Sequence, residues 1–332
     1  MKRIIITGGV GFIGSHLVLR WAKKHPDVEL MNIDKLTYAS DSTFLEAIQN
    51  CRNYQFAKAD ICERKKVREL VRSFEPDGVI HLAAESHVDN SILDPEPFVL
   101  SNVVGTFNLL EECRQYWQKV SLLDKARFHH VSTDEVYGTL GNGGAFTEAS
   151  PYHPNSPYSA SKAGSDHLVS AYHHTFGMNT VITNCSNNFG PNQHDEKFIP
   201  TVIRSALQAN PIPVYGNGEN IRDWIFVGDH CRAIELVFEK GEPGESYNIG
   251  ARNEWKNVDL VWKICAILNE LVGEGPDGDY KNLVRFVKDR PGHDWRYAID
   301  PSKLERELHC APAHTFEESL KHTVKWYVER YQ

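Results

Sequence analysis

Two short stretches of this 332-residue chain carry residue types and spacings that could do chemistry: Thr133-Asp134-Glu135 and Tyr158-Ser159-Ala160-Ser161-Lys162. The first places a hydroxyl and two adjacent carboxylates at the end of a strand-like run, Phe128–Ser132. The second places a phenol and an amine four residues apart, on one face of a helix. A lysine cation near a phenol favours the phenolate and draws its pKa from about 10 toward working pH. Tyr158 could then take the proton of a substrate alcohol while hydride leaves the same carbon, with Thr133 bonded to the reacting oxygen. Adjacent carboxylates can divide acid from base work when burial and neighbouring charge separate their pKa values. Taken alone, Asp134-Glu135 equally suits a solvated loop start.

Positioning such groups requires a scaffold, and the first half of the chain supplies a recognisable one. Short β-branched runs at Arg3–Thr7, Glu29–Ile33, Tyr54–Ala57, Gly78–His81, Phe128–Ser132 and Asn179–Asn184 predict strands. Helical periodicity separates most of them, over Phe12–Lys24, Glu63–Phe74, Phe98–Trp117 and Ser159–Phe176. That alternation predicts a Rossmann-type, doubly wound parallel sheet, α/β in class. After about Gly190 prolines punctuate shorter elements, Gly216-Asn217-Gly218 and Pro276-Asp277-Gly278 read as turns, and helices are expected near Asp229–Glu239, Val258–Leu271 and Phe316–Tyr331. The expected division is residues 1–190 for the dinucleotide and catalytic part and 191–332 for a smaller mixed α/β part, with later segments free to rejoin the sheet.

The first strand runs into Thr7-Gly8-Gly9-Val10-Gly11-Phe12-Ile13-Gly14 and then a helix, the context a dinucleotide turn needs. Gly8 permits the turn, Gly11 lets backbone approach a pyrophosphate, and Gly14 brings helix and sheet together. Asp34 ends the second strand about 20 residues on, where a carboxylate binds ribose hydroxyls and favours NAD over its 2′-phosphate. It could also be an ordinary strand-end acid. Asp60 after the third strand could meet the adenine or simply cap a helix. Ala83 and Ala84 after the fourth would let backbone lie against the cofactor, whereas His81 within it suits a core histidine.

Composition excludes several alternatives. A net charge of −8 with 41% hydrophobic and 24% charged residues describes a soluble globular protein, not a general nucleic-acid or membrane-surface binder. No apolar run approaches the ~18 residues of a membrane helix, and Met1-Lys2-Arg3 leads into a strand rather than a signal peptide. Seven scattered cysteines without Cys-x-x-Cys favour a reducing cytoplasm. Sixteen histidines offer no ligand spacing, so no metal is expected.

The glycine turn, Thr133 and Tyr158-x-x-x-Lys162 together resemble the extended short-chain dehydrogenase/reductase superfamily. Within it, Asp134-Glu135 makes the chain similar to the dTDP-glucose 4,6-dehydratases. Matching motifs include Asp34–Ala39, His81–Asp89, Val131–Gly138, Asn184–Asn188, Lys197–Pro200, Arg222-Asp223-Trp224 and Asp289–Asp294, and so span nearly the whole chain. The resemblance implies that Tyr158 takes the O4 proton as NAD accepts the C4 hydride. Glu135 would then remove the C5 proton, Asp134 would protonate the departing C6 hydroxyl, and hydride would return to C6. NAD would be regenerated each cycle and stay bound.

The same resemblance implies Phe12, Ile13, Lys35, Leu36, Thr37, Ile61, Leu82, Ser86, Ser101 and Asn188 as further cofactor contacts. Ser86, Thr133, Asn187, Lys197, Phe198, Pro213, Tyr215, Asn257 and His293 would line the nucleotide sugar, with Arg222 and Arg290 on its pyrophosphate. Each arginine alone could equally be a surface ion-pair member. Val10, Ser40, Asn90 and Asn217 replace the family's usual alanine, glycine, arginine and aspartate. Apolar faces around Phe98–Leu110 and Ser159–Tyr172 suit either a core or the helix-mediated homodimer that the family implies. Competing readings are a UDP-glucose 4,6-dehydratase, a nucleotide-sugar 4-epimerase or decarboxylase, and a non-catalytic NAD-sensing protein.

Overall fold

The computed structural model describes residues 1–41, 43–48, 50–275 and 278–331. Seven strands form its central sheet: β1 (Arg3–Thr7), β2 (Glu29–Asp34), β3 (Tyr54–Lys58), β4 (Gly78–His81), β5 (Arg127–Thr133), β6 (Thr180–Cys185) and, from much later in the chain, Ser246–Ile249. Every pairing is parallel, and the order from one edge is β3, β2, β1, β4, β5, β6, then the late strand. The buried Ile4-Ile5-Ile6 and Val79-Ile80 runs explain why β1 and β4 sit centrally: both faces of these strands are covered. One face packs through Leu17, Val18 and Trp21 with Ile234, Val237 and Phe238. The other packs through Val67, Val71, Leu109, Trp117 and Val169.

The six strands expected from the sequence are present, each within a residue at either end. The seventh lies beyond residue 190, so the chain does rejoin the sheet after its change of rhythm. The expected helix Phe98–Trp117 is not continuous. A short turn, Glu96–Phe98, leads into a π-helical segment, Val99–Gly105, and then an α-helix, Thr106–Lys119. Asn102 accounts for the break. Its side chain accepts from Glu85 N at 2.9 Å and donates to Glu85 O at 3.0 Å and Ser161 Oγ at 2.9 Å, pinning three segments at the edge of the cleft. His81 is a core histidine, bonded to Thr7 and Thr106 hydroxyls at 2.7 and 2.8 Å.

The remaining strands are β7 (Asn187–Phe189), β8 (Ile212–Tyr215), β9 (Ile221–Phe226), β10 (the late Ser246–Ile249), β11 (Glu254–Lys256) and β12 (Val284–Val287). β7, β9 and β11 form one small sheet, β8 and β12 another. Helices Phe198–Leu207, Asn257–Val272 and Phe316–Tyr331 enclose a separate core with Phe189 and Trp224. Gly216 and Gly218 make the expected turn with φ of 59° and 74°. Of the other expected turn, Pro276 and Asp277 lie outside the described residues.

Candidate active site

A cleft of about 510 Å³ opens where the carboxyl ends of β1, β2, β4 and β5 face the smaller C-terminal part. Ligands of doubly wound sheets bind at this edge. Every site residue expected from the sequence lines it except Leu36 and Asp60. Leu36, with φ of 61°, contributes a backbone N–H to Asp34 at 2.8 Å. The Asp60 carboxylate accepts from Cys62 N at 2.8 Å and lies 4.0 Å from Lys35 Nζ; it does not cap the following helix, Arg64–Phe74, whose N-cap is Glu63.

The glycine turn has the shape a dinucleotide pyrophosphate requires. Gly8 has φ of 71°, and a Cβ on Gly14 would sit 2.1 Å from Gly8 O, so the helix Phe12–Lys24 can approach only without a side chain there. A Cβ on Gly11 would meet nothing but Gly8 O at 3.3 Å and would project into the space ahead of the helix N-terminus. Asp34 is fixed by Val10 N at 3.0 Å as well as Leu36 N. These residues fit NAD: open backbone donors for the pyrophosphate and a braced carboxylate for a ribose.

At the reacting end, β5 stops at Thr133 and turns at once into a 3₁₀ segment, Asp134–Tyr137. Thr133 Oγ1 accepts from Glu135 N at 3.3 Å, which caps that turn. Asp134 faces inward and is 2% exposed, while Glu135 is half-buried against the cleft. Tyr158 is set in the first turn of the helix Pro157–Phe176 by a reciprocal Ser156–Ser159 capping box, both bonds 3.0 Å, with Pro157 opening the helix.

Electrostatics separates the two carboxylates. Burial, then Glu135 and Asp223, push Asp134 well above the usual carboxylate range, and its Oδ2 has no protein partner. Burial raises Glu135 above the usual carboxylate range as well, though Arg290, Arg222 and Lys197 oppose the shift. Like-charged neighbours thus surround Asp134 while three cations face Glu135, which separates the settings of the two carboxyls.

The Tyr158 phenol differs from the sequence expectation. Burial and the nearby Glu135 carboxylate push it well above 10, opposed by a hydrogen bond from Thr133. One turn along the helix, Lys162 Nζ donates to Val131 O at 2.9 Å and lies 3.3 Å from His130 Nε2.

The C-terminal part supplies the cations. Arg222 is buried, stacks over Tyr297 at 4.3 Å and donates to Ile221 O and Asp294 O at 2.7 and 2.9 Å. Arg290 Nη1 reaches Asp89 at 3.2 Å while its buried Nε has no protein partner. Tyr215 bonds the other Asp89 oxygen at 3.1 Å, and Lys197 donates to Ser86 O at 2.9 Å. His293 bonds Asp289 at 2.6 Å, and Asn188 bonds His230 at 2.8 Å. Asn187 directs a buried, unpartnered Oδ1, and Phe198, Pro213 and Asn257 complete the wall. Sequence reasoning missed Asp89, Tyr297, His130 and Asp166; only Asp166, four residues beyond Lys162, left a local sign.

A parallel dinucleotide sheet, a Tyr-x-x-x-Lys helix and a cation-lined second half define a short-chain dehydrogenase/reductase of the nucleotide-sugar type. Residues 5–323 match the family model described as GDP-mannose 4,6 dehydratase, and the chain belongs to that family. It is 53% identical over 330 residues to a probable dTDP-glucose 4,6-dehydratase of Sinorhizobium fredii, covering 98% of this chain and 93% of that protein. It is 50% identical over 334 residues to the dTDP-glucose 4,6-dehydratase of Neisseria meningitidis serogroup B, covering 99% and 94%. A dTDP-glucose 4,6-dehydratase of Streptomyces venezuelae, solved with NAD bound, superposes with a TM-score of 0.89 at 43% identity, over 99% of this chain and 97% of that one. The family expected from the sequence is thus borne out.

Proposed function

We propose that this chain is an NAD-dependent dTDP-glucose 4,6-dehydratase, a hydro-lyase that converts dTDP-glucose into dTDP-4-keto-6-deoxyglucose and water. The observation that carries the reading is the Asp134-Glu135 pair: neighbours in sequence, opposite in electrostatic setting, and one wall away from Tyr158. Redox-only chemistry needs no such pair.

Bound NAD supplies the acceptor for the C4 hydride and the donor that returns it to C6. The protein's part is proton traffic. Tyr158 takes the O4 proton, with Thr133 bonded to the same centre. Once C4 is a ketone, C5–H is acidic, and Glu135 removes it. Asp134, held neutral, donates its proton to the departing C6 hydroxyl. A proton then returns to C5 while C4 stays a ketone, and the proton Tyr158 took from O4 replaces the one Asp134 gave up, so the enzyme ends the cycle as it began. Gly8, Gly11, Gly14 and Asp34 hold the cofactor throughout; Arg222, Arg290 and Lys197 hold the substrate diphosphate.

The roughly half-identical relatives support thymidine over uridine as the base. Residues 1–190 with the rejoining β10 serve the cofactor, and 191–332 mainly serve the nucleotide sugar. Val99, Leu100 and Val104 expose an apolar strip on the π-helical segment, which supports a homodimer through that face. Seven free cysteines support a cytoplasmic setting, and deoxysugar synthesis such as that of rhamnose would use the product.

The test is incubation of the purified protein with dTDP-glucose, and separately UDP-glucose, without added NAD. A product one water lighter from dTDP-glucose is expected. A product of unchanged mass carrying a galactose configuration would replace this reading with an epimerase, and preference for UDP-glucose would reassign the base.

A further inference from the structure

Behind Tyr158 and Lys162 lies a buried polar cluster that the mechanism above does not use. Asp166 follows Lys162 by one helical turn and is 2% exposed. Its Oδ2 accepts from Ser132 Oγ at 2.8 Å, Tyr152 Oη at 3.0 Å and Asn184 Nδ2 at 3.3 Å. Its Oδ1 lies 3.2 Å from His130 Nε2. That nitrogen is also 3.1 Å from Ser165 Oγ, whose own proton goes to Lys162 O at 2.8 Å. The same nitrogen lies 3.3 Å from Lys162 Nζ, so the imidazole stands between the lysine and the Asp166 carboxylate.

The remaining groups around Lys162 bring no negative charge. From β4, the His81 ring lies tilted against His130 with centroids 5.2 Å apart and is held neutral by burial, as is His130 itself on β5. From the 3₁₀ turn come Asp134, kept protonated, and Tyr137, pushed far up by burial. From β6 comes Cys185, whose thiol burial raises to about 12. Tyr152, whose ring meets His167, is likewise held protonated, and Tyr158 sits one turn earlier on the helix of Lys162. A buried ammonium whose partners are a carbonyl and a neutral imidazole would lose its proton unless an anion answers it.

We propose that Asp166 is the internal counter-ion of Lys162, a positioning residue that acts through Lys162 to keep a cation beside Tyr158 during C4 oxidation. The geometry favours this over a purely structural role. Three donors converge on one oxygen of a single carboxylate at the centre of the helix–sheet contact, with the other oxygen 3.2 Å from His130, whereas plain packing there would be met by an apolar side chain. The inference rests on the reading of Tyr158 and Lys162 as the oxidising pair.

The experiment measures kcat and KM for dTDP-glucose from about pH 6 to 9 for the parental enzyme, Asp166→Asn and Tyr152→Phe. The amide keeps the acceptor geometry and removes only the charge; the phenylalanine removes one hydrogen bond and keeps the charge. Lys162 is active when charged, below its pKa, so removing its counter-ion shifts the alkaline limb of kcat toward acid. Asp166→Asn should lose about tenfold or more near pH 8.5 but less than about threefold near pH 6.5, with KM within about twofold. Tyr152→Phe should keep the parental alkaline limb. A parallel Asp166→Asn profile, or the same shift in Tyr152→Phe, overturns the proposal. If Asp166→Asn alone does not fold, Asp166→Asn/Lys162→Met should be the more stable protein, because no charge is left unanswered; a double variant no more stable than the single overturns it too. Absence of dehydration by the parental enzyme would instead strike at the function itself.

Discussion

Replacing Asp134 with asparagine separates catalysis from stability in a way few substitutions at a buried acid would. The side chain is 2% exposed, its Oδ2 has no protein partner, and its Oδ1 accepts only a long 3.4 Å bond from Thr133. Asparagine therefore forfeits no strong hydrogen bond. Because burial and the neighbouring Glu135 and Asp223 keep Asp134 protonated, the swap exchanges one neutral group for another. Folding stability near the ordinary carboxylate pKa should change by no more than about 1 kcal/mol. At higher pH the sign follows from linkage. A carboxyl raised in the folded state stabilises the protein below its unfolded pKa of about 3.9, and that contribution drains away as pH climbs to the raised value. The parental enzyme thus loses about 1.4 kcal/mol per pH unit across that window and Asp134→Asn does not, so the variant gains relative stability with rising pH. Catalysis goes the other way. Asparagine cannot donate a proton to the C6 hydroxyl, and loss of a positioned acid costs about 10²–10⁴-fold, or ~2.7–5.4 kcal/mol of barrier. Two assays check this: water loss by mass, and deuterium uptake at C5 in heavy water. With Glu135 intact, C5 exchange should survive while water loss collapses. Parental rates of water loss in Asp134→Asn would refute the acid assignment. A variant whose melting temperature falls relative to the parent between about pH 5 and 8 would refute the neutral state of Asp134.

Glu135→Gln should show the complementary pattern, losing C5 deuterium exchange and water loss together by about 10²–10⁴-fold, and retained exchange would mean another base. Gly14→Ala places a Cβ 2.1 Å from Gly8 O and 2.8 Å from Gly9 Cα, both backbone. It should cost about 1–3 kcal/mol and strip co-purifying NAD, read by melting temperature and by nucleotide released on denaturation. Leu100→Glu puts charge on the exposed apolar strip, where Leu100 is 45% accessible. It should shift the protein toward monomer in sedimentation at low concentration, whereas an unchanged dimer would place the interface elsewhere.

The parts of the fold legible in the sequence are those decided by contiguous residues. Ile4-Ile5-Ile6 followed by a glycine turn, or Val79-Ile80 followed by small residues, specifies a buried parallel strand and its ligand edge without outside help. The rejoining strand β10 was not legible in this way. Ser246-Tyr247-Asn248-Ile249 is short and carries a buried asparagine, whose amide is satisfied by Phe146 O and Tyr137 and whose backbone N–H donates to Glu148, all about 100 residues away. The π-helical segment was equally hidden. Its periodicity is helical, and what interrupts it is Asn102 reaching for the Glu85 backbone across the cleft.

The site divides along the same line. Its reacting groups sit in two short motifs, but their protonation states are set by residues that no local pattern connects to them. Asp134 and Glu135 differ by one position, yet the 3₁₀ turn sends one toward Asp223 and the other toward Arg222, Arg290 and Lys197. Those three cations are the same groups assigned to the diphosphate. Bringing a diphosphate among them adds negative charge near Glu135 and offsets part of what holds its pKa down. The base should therefore become stronger when the substrate is seated, with Asp134 still neutral behind it. It follows that kcat should show a higher acidic pKa than kcat/KM, because the first reports the complex and the second the free enzyme. Equal acidic limbs would show that the diphosphate and the base do not share these cations.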